Sequence, residues 1–409
     1  MRIRIHRGSH EIGGSCVEIE AEGRRILVDA GLPLDVGDNT VPAIPDLEFG
    51  SLCATVISHP HRDHYGLLPW LPSTPVVMGT AARRILMASA PFMQKGSFPM
   101  TGPDLADRRP LQVGPFRITP YLVDHSAYDA YALLIEACGK RVFYSGDFRI
   151  HGRKQQLVER LLHSPPSDID VLLLEGTTLG ATEHRHAAIA EDDLEAKFIR
   201  VFRDCQGLAL VHASSQNVDR LVTIYRACLQ SGRTLVIDLY TAMVLEATGN
   251  PSIPQSDWER VAVCIPQAQR IQIKRNGWFA DLKRHTNRRI YADRHLAKTP
   301  KDYVLLFRPL WMGELERYGC LADACLIHSQ WQGYLTETRF QNIDEWRRRY
   351  GMGFHEIHTS GHASPADLKR LAKALGPKRL VPIHSNCPDS YVTLYPDVEQ
   401  HTDGEWWEV

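Results

Sequence analysis

Residues 59–64 read His-Pro-His-Arg-Asp-His, which places four potential metal ligands within six positions. The run follows Ala54–Ser58, whose pattern predicts a buried strand ending on this loop. A loop there can curl, so alternate side chains converge on a point instead of lying along one face. Imidazole and carboxylate are the donors that borderline cations such as zinc take. A pair of cations needs further ligands from elsewhere in the chain. His125 in Val-Asp-His-Ser, Asp147 in Tyr-Ser-Gly-Asp-Phe-Arg and His384 in Val-Pro-Ile-His-Ser each follow a predicted strand. Taken singly, each is also what an ordinary satisfied polar residue looks like. Their common placement at strand ends is what gathers side chains on one edge of a sheet.

The first half of the chain reads as short strands joined by tight turns. Alternation at Arg2–His6, Cys16–Glu20 and Arg25–Val28 predicts half-buried strands, with turns at Gly13-Gly14 and Glu22-Gly23. Further strands are predicted at Arg117–Tyr121, Tyr131–Glu136, Arg141–Tyr144 and Val171–Leu174, with a helix over Thr80–Ala90. The middle changes style. A helix over Ile189–Asp204 leads to a strand at Leu208–Val211, a helix at Val218–Gln230 and a strand at Thr234–Ile237. Such strand–helix–strand units build parallel sheets. Strands are also expected at Tyr303–Phe307 and Ala324–His328. Near Gly351 the first style returns, with strands at Phe354–His358 and Leu380–Ile383 flanking a helix over Pro365–Leu375. Ser364 and Gly376 suit its two caps. We therefore expect an α/β domain from residues 1–190 and 350–409, interrupted by a second α/β domain at 191–349.

Composition excludes several classes. With 44% hydrophobic and 23% charged residues, the 409-residue chain reads as globular. No apolar run reaches the ~20 residues that span a bilayer. The first residues go straight into strand alternation without the apolar stretch of a secretory signal, so a cytoplasmic protein with no membrane partner is expected. Nine cysteines without a C-x-x-C pair suggest reduced core residues. Net charge is −1, but Arg270–Lys301 holds ten Lys or Arg against Asp281 and Asp293. Trp278, Phe279 and Tyr291 interleave with these cations. Cations for phosphates and flat rings for bases are what a single-stranded nucleic acid groove needs. A solvated helix face has the same composition.

The order of Asp29 after a strand, H-x-H-x-D-H, His125 and Asp147 resembles the motif series of the metallo-β-lactamase superfamily. Glu175 in Leu-Leu-Leu-Glu-Gly-Thr, His362 in Thr-Ser-Gly-His-Ala-Ser and His384 look like the three extra motifs of its β-CASP branch. The start His-Arg-Gly-Ser-His-Glu-Ile-Gly-Gly and the segment Ala213–Arg220 are similar to the ribonuclease J family. The likeness spans nearly the whole chain and is weakest over about 250–350. It implies an αββα sandwich with an inserted β-CASP cap, and a nuclease using hydroxide activated by two divalent ions, zinc or manganese. It further implies that His59, His61 and His125 hold one ion, that Asp63, His64 and His384 hold the other, and that Asp147 bridges them. Asp29 would orient a ligand without touching metal. His362 would contact the phosphate or protonate the leaving oxygen, with Glu175 orienting His362 or the ligands.

Single-stranded RNA is the expected substrate, because members acting in DNA repair usually carry valine where His384 stands. Ser214, Ser215, Asn217 and Arg220, at the cap's strand-to-helix turn, are the expected substrate contacts. Substrate would then run between the two domains. Three other readings stand beside this one: a DNA nuclease of the same branch, a small-molecule hydrolase acting on a thioester or lactam, and a non-catalytic partner subunit. The long insertion argues against the second and the complete ligand set against the third. Ser-Asn-Cys follows His384 where the family has Gly-Glu, so phosphate contacts there should differ. The sequence ends soon after this motif. The C-terminal domain of full-length members is therefore not expected in it, and neither dimerisation nor processive 5′ exonuclease action is read from the resemblance.

Overall fold

The computed structural model describes residues 1–34, 47, 49–71, 73–93, 101–180 and 189–409. It divides into two compact units, Met1–Ala188 with Gly361–Val409, and Ile189–Ser360.

Two sheets make the first unit. One has the order β20-β1-β2-β3-β4-β5-β6, with β1 Arg2–Arg7, β2 Cys16–Ala21, β3 Arg24–Val28, β4 Leu52–Val56, β5 Val76–Gly79, β6 Asp104–Leu105 and β20 Trp406–Glu408. The other has the order β19-β11-β10-β9-β8-β7, with β7 Leu111–Val113, β8 Phe116–Val123, β9 Ala130–Ala137, β10 Lys140–Tyr144, β11 Val171–Glu175 and β19 Arg379–Ile383. Successive side chains of a strand face opposite ways, and here both faces are buried. Ile26 and Val28 of β3 meet Val171 and Leu173 of β11 in one core between the sheets. The alternate residues face outward. Leu27 packs with Ala82 and Leu86 of the helix Thr80–Ser89. Leu172 and Leu174 pack with Val158 and Leu161 of the helix Gln155–His163 and with Leu368 and Leu371 of the helix Pro365–Leu375. The result is the expected αββα sandwich.

The second unit holds one wholly parallel sheet, ordered β15-β14-β13-β16-β12-β17-β18. Its strands are β12 Ala209–His212, β13 Thr234–Ile237, β14 Val261–Cys264, β15 Arg289–Ile290, β16 Tyr303–Phe307, β17 Cys325–His328 and β18 Gly353–Glu356. Pairing of β18 with β17 keeps residues 353–356 in this unit, so the chain returns to the first unit at Gly361 and not near 350. The helix Leu239–Ala247 had no sequence signal, because it is buried nearly all round and lacks a polar face to set a period. All nine cysteines are free and six are buried. Among the described residues no helix is long and apolar enough to cross a membrane.

Candidate metal centre

Chain direction decides where the ligands fall. In the second sheet β8 is antiparallel to β9, and β9 to β10, so β8 runs with β10, β11 and β19. His125, Asp147, Glu175 and His384 therefore lie at carboxyl ends on the same edge. β3 and β4 are parallel and deliver Asp29 and the His59–His64 loop. The loop turns through the short helix Arg62–Tyr65, which keeps Asp63 and His64 beside His61. A Cβ at Gly31 would collide with the Asp63 carbonyl, so the segment after β3 passes beneath this turn only as glycine. Asp29 and His384 both take left-handed backbone, φ 58° and 53°. This is a costly conformation for histidine. His384 is held in it by its N–H on the Gly8 carbonyl, 2.7 Å, and by its own carbonyl on the Gly176 N–H, 3.3 Å.

Two groups of donor atoms result. His59, His61 and His125 form one, and Asp63, His64, Asp147 and His384 the other, with the ligand atoms of each within 4.8 Å of one another. Asp147 also reaches toward the first group, its Oδ2 lying 3.7 Å from His59 Nε2 and 3.1 Å from His64 Nε2. A further group of Asp147, Glu175, His362 and His384 overlaps the second. All the residues read from the sequence as ligands are thus brought together.

Three of the ring nitrogens facing away from the centre are tied down, which is how metal-binding histidines are oriented. His59 Nδ1 meets Ser58 Oγ at 3.0 Å and His125 Nδ1 meets the Gly361 carbonyl at 2.6 Å. His64 Nδ1 meets Asp29 Oδ2 at 2.8 Å. Asp29 is wholly buried and also accepts from the Ser58 N–H and hydroxyl and from Tyr144 OH, each at 2.7 Å. Its hydrogen bonds thus reach His64 directly and His59 by way of Ser58. The buried pair Arg149–Asp124 links the loops that carry His125 and Asp147, with the Arg149 N–H on the Asp124 carbonyl at 2.7 Å. Nothing in the residue pattern points to Ser58, Tyr144 or the Gly361 carbonyl as partners.

The inward nitrogens test whether a cation fits. His59 Nε2 and His64 Nε2 are buried and make no hydrogen bond. A buried polar atom left so costs about 1–3 kcal/mol, and two of them point into a cluster of carboxylates. His64 Nε2 lies near Asp147 but out of line for a hydrogen bond. Charge agrees. Burial, then the charge of His64, holds His59 well below the usual imidazole range, and burial takes His61 down to about 4. Burial followed by His59 does the same to His125. Burial works against the carboxylates of Asp63 and Asp147, but the neighbouring histidines, His64 foremost at Asp63 and His384 at Asp147, hold both below the carboxylate range. Neutral imidazole and ionised carboxylate are the ligand forms. His64 is displaced upward: burial opposes its charge, but Asp147, Asp29 and Asp63 outweigh burial. The same three carboxylates favour a cation of higher charge. The donor set fits divalent metal.

His362 sits at the rim, its side chain 21% exposed where Glu175 beside it is 1% exposed. Its Nδ1 meets Glu175 Oε2 at 3.1 Å. Burial lowers its affinity for a proton, yet Glu175, and beyond it Asp147 and Asp63, push the pKa up to about 9.

The turn read as a substrate contact lies in the second unit, and most of it is used internally. Asn217 caps the helix Val218–Ser231, accepting from the Arg220 N–H at 3.1 Å. Ser215 is buried against Thr241, Oγ to Oγ1 2.8 Å. Arg220 is fully buried, paired with Glu191 at 3.2 Å and bonded to the Ser329 carbonyl and hydroxyl. Ser214 is exposed.

Known proteins place this geometry. Residues 24–212 match the model of the beta-lactamase superfamily domain, and residues 351–391 match the Zn-dependent metallo-hydrolase RNA specificity domain. The second match spans His362 and His384. Ribonuclease J of Helicobacter pylori (strain ATCC 700392 / 26695) is 24% identical over 408 residues, 92% of this chain and 55% of that protein. Ribonuclease J of Mycolicibacterium smegmatis is 24% identical over 415 residues, 94% of this chain and 68% of the relative. The chain thus spans about half the length of the Helicobacter relatives it matches. Among solved structures, a protein of unknown function from Enterococcus faecalis V583 superposes with a TM-score of 0.79 at 21% identity, over 99% of both chains. Over nearly its whole length the chain is thus similar to the metallo-β-lactamase superfamily, in the manner of its ribonuclease J-like β-CASP branch.

Proposed function

We propose that this chain is a metal-dependent RNA phosphodiesterase. The observation that carries the reading is the pair of abutting donor groups around Asp147, with His362 at their rim. His59, His61 and His125 would hold one divalent ion and Asp63, His64 and His384 the other, with Asp147 between them. Ions held there supply Lewis-acid polarisation of a phosphate oxygen and lower the pKa of water. The protein's own part is positional. Asp29, Ser58 and the Gly361 carbonyl fix which imidazole nitrogen faces the centre, and Glu175 holds His362 by Nδ1 so that its other nitrogen can meet the phosphate or protonate the departing oxygen. Mixed imidazole and carboxylate donors suit zinc, with manganese as the second choice. Protein purified without chelator should carry close to two equivalents of metal by elemental analysis. Undiminished cleavage by protein that binds none would sink the mechanism.

RNA is favoured over DNA by the RNA specificity domain match, which takes in His384, and by relatives named for ribonuclease activity. A denaturing-gel assay with 5′-phosphate, 5′-hydroxyl and circular RNA, beside DNA of the same sequence, tests the assignment. Cleavage of RNA alone is expected. Cleavage of DNA alone would move the protein to the DNA-acting side of the branch, and cleavage of circular RNA would establish endonuclease action.

Ser214 is the cap residue we retain as a direct substrate contact, with Ser215, Asn217 and Arg220 shaping its turn. The basic stretch is the second contact surface. Arg270, Arg284 and Arg294 are each paired with acids. Lys274, Arg275, Lys283 and Arg288 are exposed and enter no ion pair among the described residues. Arg289 and Arg294 flank the Tyr291 ring at 4.9 and 5.6 Å, and Phe279 is exposed nearby in sequence. Reversing Lys274, Arg275, Lys283 and Arg288 to Glu should weaken RNA binding and flatten its salt dependence, by roughly 0.7 in log–log slope per lost phosphate contact. Hydrolysis of bis-p-nitrophenyl phosphate should be nearly unaffected. Unchanged RNA affinity and slope would make the stretch an ordinary solvated surface.

A further inference from the structure

Glu175 Oε2 takes hydrogen bonds from two directions at once. One is from His362 Nδ1, at 3.1 Å, and the other from the Thr177 hydroxyl, at 2.9 Å. The same hydroxyl lies 2.9 Å from His384 Nδ1. A threonine hydroxyl has one proton to give, and an ionised carboxylate can only accept. The proton therefore goes to Glu175, and the hydroxyl oxygen must accept from His384. That places the His384 proton on Nδ1 and turns the lone pair of Nε2 inward, where it faces Asp63 Oδ2 at 3.3 Å. A lone pair opposed to a carboxylate oxygen is an arrangement that a shared cation satisfies.

We propose that Thr177 is a positioning residue that passes the orientation set by Glu175 on to His384, completing the donor group of Asp63, His64, Asp147 and His384. Glu175 thereby governs two histidines, His362 directly and His384 through one hydroxyl. Its other oxygen accepts from the Phe148 N–H at 3.0 Å, next to Asp147, so the unit is anchored on the loop that carries Asp147. Without the hydroxyl, Glu175 loses a donor and His384 Nδ1 loses its acceptor. The ring is then free to present either nitrogen inward. The histidine His59 differs, since it is held by Ser58 and not through Glu175.

The inference rests on the metal-centre reading and is tested without RNA. Zn²⁺ affinity is measured by competition with a chromophoric chelator for wild type, Thr177→Val and Thr177→Ser. Valine keeps the branched shape and removes the hydroxyl. Loss of a partner of this kind typically costs 10–100-fold in metal affinity, so one of the two Zn²⁺ equivalents should weaken by about that factor in Thr177→Val, with the other unchanged. Thr177→Ser should restore it, which a packing role of the methyl group would not. Equal Zn²⁺ affinity in all three proteins would overturn the role of Thr177 while leaving the centre intact. Failure of the wild type itself to bind Zn²⁺ would count against the centre as a whole. If Thr177→Val is poorly folded, Thr177→Ala replaces it in the same comparison with Thr177→Ser: the 10–100-fold weakening of one equivalent in alanine and not in serine supports the hydroxyl, and equal affinity in both rejects it.

Discussion

Asp147→Ala should give a folded protein that does not cleave RNA. Among the described residues the Asp147 carboxylate is the one acid within 4 Å of His59, His64, His362 and His384 together, at 3.7, 3.1, 3.8 and 3.8 Å. Asp63 reaches only His64 and His384. No other side chain in the cluster spans both donor groups, so none replaces it. The fold does not depend on it in the same way. Asp147 lies on the loop after β10, and its contacts are with the centre's own histidines, while the loop is held by main-chain bonds and by the buried Arg149–Asp124 pair. Bound metal should fall below one equivalent, cleavage should drop to background, and the thermal midpoint of the metal-free protein should stay close to that of metal-free wild type. Normal turnover by a folded Asp147→Ala protein would place the reactive centre elsewhere.

Local chemistry was legible in the sequence, and relations between distant segments were legible only in part. Four donors in six residues declare a site by themselves, and His125, Asp147 and His384 could be added because each follows a recognisable strand. Asp29 was read as an orienting residue, and in the structure it makes four hydrogen bonds, one of them to His64. The partner of His125 was not readable, because it is the carbonyl of Gly361, 236 residues away, and a main-chain oxygen leaves no mark on residue type. Thr177 stood two positions from Glu175, yet a hydroxyl matters only once His384 is known to lie beside it. Arg220 illustrates the opposite limit. Its sequence position suggests a phosphate ligand, but only coordinates reveal that its guanidinium is turned inward onto Glu191. Periodicity failed where polarity did. The helix Leu239–Ala247 has almost no polar face, and β18 belongs to the second unit because of what it pairs with, which no local pattern encodes.

His362→Ala should leave metal content unchanged and slow RNA cleavage by roughly 10²–10⁴-fold, the range for a positioned proton donor. Two roles compete for this side chain. It belongs to a group of potential ligands with Asp147, Glu175 and His384, so it could bind metal. Its surroundings favour the other role. The Nδ1 atom is engaged by Glu175 at 3.1 Å, and Glu175 itself is held by the Phe148 N–H and by Thr177. The side chain is more exposed than those of Asp63 and His384, 21% against 16% and 2%. Glu175 is the largest influence pushing its pKa up to about 9 against the opposing effect of burial. A protonated imidazole is a poor ligand and a good partner for a phosphate oxygen. The two roles separate in one measurement. Two equivalents of metal in the His362→Ala protein together with slow cleavage make it a proton donor or anion contact. Loss of an equivalent makes it a ligand, and full activity removes it from the chemistry altogether.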